Sequence, residues 1–196
     1  MHILKNCTRI ISLRNVKNKG VSSSYNQGIK TSNSKYYLIV NNDIVFRNDS
    51  VDNLLKFARS KDYGMVTVVD TLRCFKTDYL SFQIEEKEWE GLCNSCFILK
   101  DWVIDKVGFY DEAYWPAYCE DLDYLHRMSV YGIEKKSTFT SVVKHDEGST
   151  GRTNNWKLGE SCNTPSELYH HAYVKNKGYY ATKFKLGNQF NSPINQ

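Results

Sequence analysis

No apolar run in this chain approaches the roughly 20 residues that a bilayer-crossing helix needs, so a membrane span is not expected. A secretory leader is not expected either, because charge and polarity interrupt Met1-His2-Ile3-Leu4-Lys5-Asn6 at once. The basic excess is small: the formal charge is +4, and Lys and Arg are scattered instead of gathered into a stripe. Lys183 and Lys185 read as a solvated face, and nothing has the spacing of a zinc finger or a basic recognition helix, so nucleic-acid binding is not expected. Of six cysteines, only Cys93-Asn94-Ser95-Cys96 has metal-like spacing, and no second pair completes a four-ligand set. Free thiols in a reducing compartment follow, with Cys96 inside a buried strand. Internal repeats and low-complexity tracts are missing as well. The expectation is a soluble, cytoplasmic protein.

What is present is length for one buried core and an alternation of strand-like and helix-like segments. Residues 9–13, 36–40, 65–69, 95–99 and 138–144 read as strands, the second of them buried. Ser22 to Lys30 reads as a helix opened by hydroxyl residues, and Ser50 to Ser60 as one capped near Asp49 or Ser50. Trp102 to Val107 is a short helix ended by Gly108. Glu120 to Tyr131 is a longer one, with Leu122, Leu125 and Met128 inward and Gly132 as its stop. Pro165 to Lys177 is the last, with Gly178 beyond its end. The stretch from Asp70 through Glu90 reads as irregular. This alternation predicts an α/β domain over residues 1–187 with a mainly parallel sheet, followed by a polar tail at 188–196.

The most informative segment is Tyr36-Tyr37-Leu38-Ile39-Val40-Asn41-Asn42-Asp43, an apolar strand that runs into two amides and a carboxylate. Strand ends are where α/β folds place ligand chemistry, because a rigid sheet aims the side chains that follow it. Taken alone, Asn-Asn-Asp is also an ordinary turn. Its companions are Asn18-Lys19-Gly20 and Asn26-Gln27-Gly28-Ile29 upstream, and Glu120-Asp121-Leu122-Asp123 and His145 downstream. In this order they resemble glycosyltransferase family 2, whose fold is of the GT-A type. The resemblance extends from about Asn15 to the C-terminus, where Tyr169 to Asn176 and Tyr179 to Phe184 are similar to a helix and basic-aromatic tail found in many members.

The resemblance implies a Rossmann-type mixed sheet flanked by helices and a nucleotide-diphospho-sugar donor. It places Asp43 on a divalent cation, Mn²⁺ or Mg²⁺, which would neutralise the departing diphosphate. It places Asn18, Gly20, Asn26, Asn41 and Asn42 with Asp43 along the donor, and His145 as a further metal ligand. Gly108-Phe109-Tyr110-Asp111-Glu112 followed by Glu120-Asp121-Leu122-Asp123 is similar to the acceptor-side signature. Asp121 is then the general base, Glu120 orients it or the acceptor, and Asp123 caps or pairs. Trp115 and Tyr114 are candidates for stacking on an acceptor sugar.

The implied activity is a metal-dependent, inverting transfer of a sugar to a glycan, protein or other hydroxyl acceptor. Members of the family begin with a base-binding βαβ unit, whereas seventeen residues precede Asn18 here, so an N-terminally shortened version is expected. That shortening also allows a sugar- or nucleotide-binding remnant without turnover. A glycoside hydrolase built on Asp43 and Asp121 is a third reading, which the Asn-Asn-Asp context disfavours.

Overall fold

The computed structural model describes residues 11–76, 78–89, 93–145 and 165–186. Their order is α1 (Val21–Thr31), β1 (Tyr36–Val40), β2 (Ile44–Phe46), α2 (Ser50–Ser60), β3 (Met65–Asp70), α3 (Thr71–Phe75), β4 (Glu88–Trp89), β5 (Cys96–Lys100), α4 (Asp101–Val107), α5 (Glu120–Val130), β6 (Lys135–His145) and α6 (Pro165–Lys183). The sheet runs β1-β5-β3-β6-β2, with β4 on the side of β6. The GT-A-type α/β architecture is present. Of the expected strand at 9–13, residues 9 and 10 lie outside the described residues, and 11–13 form no strand. The polar tail at 188–196 also lies outside the described residues.

Two strands explain the layering. β3 (Met-Val-Thr-Val-Val-Asp) and β5 (Cys-Phe-Ile-Leu-Lys) are buried at every position, as near-continuous apolar runs are when both sheet faces are covered. Met65, Phe97 and Leu99 face α4 and α5, packing with Val103, Val107, Tyr124 and Met128. The intervening Val66, Cys96 and Ile98 face α2, packing with Leu54 and Ala58. Gly64 enters β3 where a Cβ would run into the Ile133 and Val103 methyls, so only a glycine fits.

Several expectations are corrected. The mainly parallel sheet is mixed: β3 and β6 are parallel, whereas β1–β5, β5–β3, β2–β6 and β4–β6 are antiparallel. β1 lies at the sheet edge among the described residues, which leaves Leu38 and Val40 partly exposed instead of buried. α1 starts at Val21 behind Gly20 as its N-cap, with no hydroxyl cap. α5 buries Asp123, Tyr124 and Met128, turned from the expected stripe, so that Leu122 is exposed. The last helix runs through Gly178 to Lys183, and α3 and β4 interrupt the stretch read as irregular. No helix among the described residues is long and apolar enough to cross a membrane.

Candidate active site

The sheet brings four chain segments to one end. β1, β3 and β6 run the same way, so their carboxyl ends converge, and antiparallel β5 begins there, with Val40 opposite Cys96. The Asn41 amide continues that ladder by donating to the Ser95 carbonyl at 2.8 Å. β2 pairs Ile44 with His145, which sets Asp43 beside the imidazole.

The result is a short polar chain. His145 Nε2 lies 3.1 Å from Asp43 Oδ1, and its Nδ1 lies 3.2 Å from Ser95 Oγ and 3.9 Å from Asp70 Oδ2. Ser95 Oγ in turn meets Cys93 Sγ at 3.0 Å. Asp70, at the end of β3, is 1% exposed. Burial pushes the Cys93 and Cys96 thiols upward, as expected of packed, unreactive cysteines.

A second carboxylate station faces the first across Asn94. The Asn94 amide donates to Asp121 Oδ2 at 2.9 Å, at the start of α5. Beside it, burial and then the Asp121 charge push Glu120 up to about 7. Glu120 Oε2 is shielded from solvent and has no hydrogen-bond partner among the described residues. Tyr25 lies nearby, where its hydroxyl donates to Asn41 Oδ1 at 3.1 Å. Burial first, and then Glu120 and Asp121, hold that phenol protonated.

The other expected site residues have more particular placements. Gly20 has φ +84, and an added Cβ would come within 2.9 Å of the Pro116 carbonyl and 3.0 Å of the Trp115 ring. The Asn18 carbonyl accepts from Trp115 Nε1 at 3.3 Å, so the Asn18–Gly20 turn lies against the Trp115–Pro116 segment. Asn26 is 2% exposed, and its amide donates to the Tyr110 carbonyl and to Glu112 while its oxygen accepts from the Tyr110 amide. That side chain is spent inside the protein instead of along a donor. Tyr114 is wholly buried and donates to Asp123, so it cannot stack on an acceptor, whereas Trp115 is 42% exposed and can. Asn42 is exposed. Lys183, read as solvated, pairs with Asp111 at 2.7 Å and with Asp123 at 2.5 Å.

Asp70, Ser95, Asn94 and Tyr25 were not anticipated. Asp70 carried the same signal as Asp43, an acid at the end of an apolar strand. Asn94 and Ser95 lie inside the Cys-x-x-Cys spacing, and no pattern of their own marks them in the sequence.

Residues 2–95 match glycosyl transferase family 2. Over 125 residues, 64% of this chain, the sequence is 30% identical to a galactofuranosyl glycosyltransferase of Leishmania donovani. The matched part spans 24% of that protein, about a quarter of its length. The chain is thus similar to glycosyltransferase family 2 over its first half.

Proposed function

We propose that the protein transfers a sugar from a nucleotide-diphospho-sugar to an acceptor hydroxyl, with a divalent cation and with inversion. The observation that carries the reading is the pair of stations joined through residues 94 and 95: Asp43 with His145 on one side, Asp121 with Glu120 on the other.

The donor set fits a hard cation that shares its shell with phosphate oxygens. Two ligands at about 2.0–2.1 Å and at right angles stand roughly 3 Å apart, close to the 3.1 Å between Asp43 and His145. Among the described residues no group of three or more His, Cys, Asp or Glu side chains could hold a metal. A site relying on one carboxylate, one imidazole and the donor diphosphate is consistent with that. Ser95 and Asp70 can accept an Nδ1 proton, which would turn the Nε2 lone pair toward a cation shared with Asp43. When bound, Mn²⁺ or Mg²⁺ would neutralise charge developing on the diphosphate.

Asp121 takes the acceptor proton. Its Oδ2 is held by Asn94, and its ionised form is the base that in-line attack requires. Glu120, buried and near neutrality in its titration, holds a proton or a hydrogen bond next to it. Trp115 offers an exposed face to an acceptor sugar. The relative's name suggests a galactofuranosyl donor as the first to try.

The test is incubation with a panel of nucleotide-diphospho-sugars, the galactofuranosyl one included, with Mn²⁺, Mg²⁺ or chelator. Metal-dependent donor hydrolysis or transfer is expected. Donor binding without turnover would identify a binding remnant, and cleavage of an oligosaccharide without a donor would identify a hydrolase.

A further inference from the structure

The segment from Gly108 to Cys119 that delivers Glu120 and Asp121 has no helix or strand of its own. Its last two residues before the carboxylates, Tyr118 and Cys119, are both left-handed, at φ +77 and +67, a conformation that side-chain-bearing residues resist. Such a turn persists only where its surroundings over-determine it. The group that does so comes from the C-terminal helix. Asn176 of α6 is completely buried, and its amide nitrogen points at the carbonyls of Trp115, Ala117 and Tyr118, at 3.5, 2.8 and 3.3 Å. One side chain thus faces three carbonyls of the turn directly ahead of Asp121. The same loop is tied to the donor side, where the Pro116 carbonyl accepts from the first amide of α1, that of Val21, at 2.9 Å.

We infer that Asn176 is a positioning residue: its amide holds the Trp115–Cys119 turn in the one shape that presents Asp121 to Asn94 and to the acceptor. This rests on the transferase reading above, for which Asp121 is the base, but the clamp itself is measurable without turnover. Hydroxyl, acid or alkyl side chains at 176 cannot supply two amide hydrogens to these three carbonyls.

The experiment compares wild type with Asn176→Ala by hydrogen exchange, thermal melting and steady-state kinetics with the donor and Mn²⁺. Expected is at least tenfold faster exchange at residues 117–123 with unchanged protection in β3 and β5. Turnover should fall by about 10–100-fold while the donor KM stays within twofold, because Asp43 and His145 are untouched. Exchange that stays at wild-type rates, or that rises equally across the sheet, would overturn the clamp. A proportional change in donor KM would make Asn176 a donor-side or global stability residue. Should the alanine variant fail to fold, Asn176→Ser, which keeps one donor, must show the same local pattern to a smaller degree. A wild type that turns over no donor, together with local exchange as expected, would defeat the transferase reading and leave the clamp standing.

Discussion

The two carboxylate stations are built by opposite means. Asp43 and His145 are placed by strand register: the Ile44–His145 pairing of β2 with β6 puts them together whatever the nearby loops do. Asp121 is placed by an irregular segment that borrows side chains from three helices. Asn26 of α1 holds its beginning, Arg127 of α5 donates to the Val107 and Phe109 carbonyls, and Asn176 and Lys183 of α6 hold its end and its Asp111. A cation site of the kind proposed for Asp43 and His145 would have few degrees of freedom and would suit a sheet. On the proposed reading the loop is an acceptor wall, which would differ among enzymes with different acceptors, and a loop pinned by replaceable side chains can be rebuilt while the sheet is kept.

The sharpest way to break the comparison is Asp121→Asn, which keeps the shape and an oxygen for Asn94 to donate to. Turnover should fall by about 10²–10⁴-fold with donor affinity unchanged, as measured by transfer rate and by calorimetry. Equal rates would take Asp121 out of the chemistry, and joint loss of rate and affinity would move it to the donor side. The matching change at the other station is Ser95→Ala, which removes a partner of the His145 ring. Mn²⁺-dependent donor affinity should fall by about 10–100-fold with the fold intact, since groups that orient a metal-binding imidazole typically matter by that amount. Unchanged affinity would mean that Asp70 alone orients the ring.

Much of the sheet-built station could be read in advance, and the reason is local. Tyr36 to Asp43 carries its own pattern, and an apolar strand with a polar end keeps its meaning wherever the strand falls in the sheet. The strand order was not legible, because Tyr36–Val40 has the same composition at an edge as in the middle. For the loop-built station the carboxylates were recognisable but their supports were not. Asn26 and Glu112 are 86 residues apart, and Asn176 and Ala117 are 59 apart, so no periodicity joins them. Asn26 and Tyr114 differ from expectation because each is satisfied inside the protein, Asn26 by the distant Tyr110 backbone and Glu112, and Tyr114 by Asp123. Buried polar side chains of this kind look, in a sequence, like residues awaiting a ligand.

Glu120 tests how dry the loop-built station is. Its carboxyl titrates near 7 in the folded protein, raised by burial and then by Asp121, whereas an unfolded Glu titrates near the ordinary value. A raised folded value means that the unfolded chain ionises first. Glu120 therefore lends its full relative stability below about pH 4.5, loses it progressively as pH rises, and has lost it above about pH 7. Glu120→Gln should make the protein more stable than wild type at pH 8, by roughly 2–3 kcal/mol, with the difference shrinking toward pH 4.5. Denaturant melts of both proteins across this range check it, and parallel curves would show that water reaches the carboxyl freely.

The smallest expected effect comes from Tyr179→Phe, and it separates the support that matters from the support that is redundant. The Tyr179 hydroxyl donates to Asp111 Oδ2 at 2.9 Å, but that carboxylate also accepts from Lys183 at 2.7 Å and from the Ala113 amide at 2.9 Å. The Tyr179 side chain is exposed and its ring still packs edge-on against Tyr114 after the hydroxyl is gone, at a centroid distance of 5.0 Å. Water can replace the lost donor, so the stability change should stay at or below about 1 kcal/mol, the net worth of a typical hydrogen bond, and turnover should be unchanged. A melt and a rate assay on the single variant check both. A large loss of turnover here would mean that Asp111 is aimed by the phenol and not by Lys183, and that the loop depends on every one of its contacts equally.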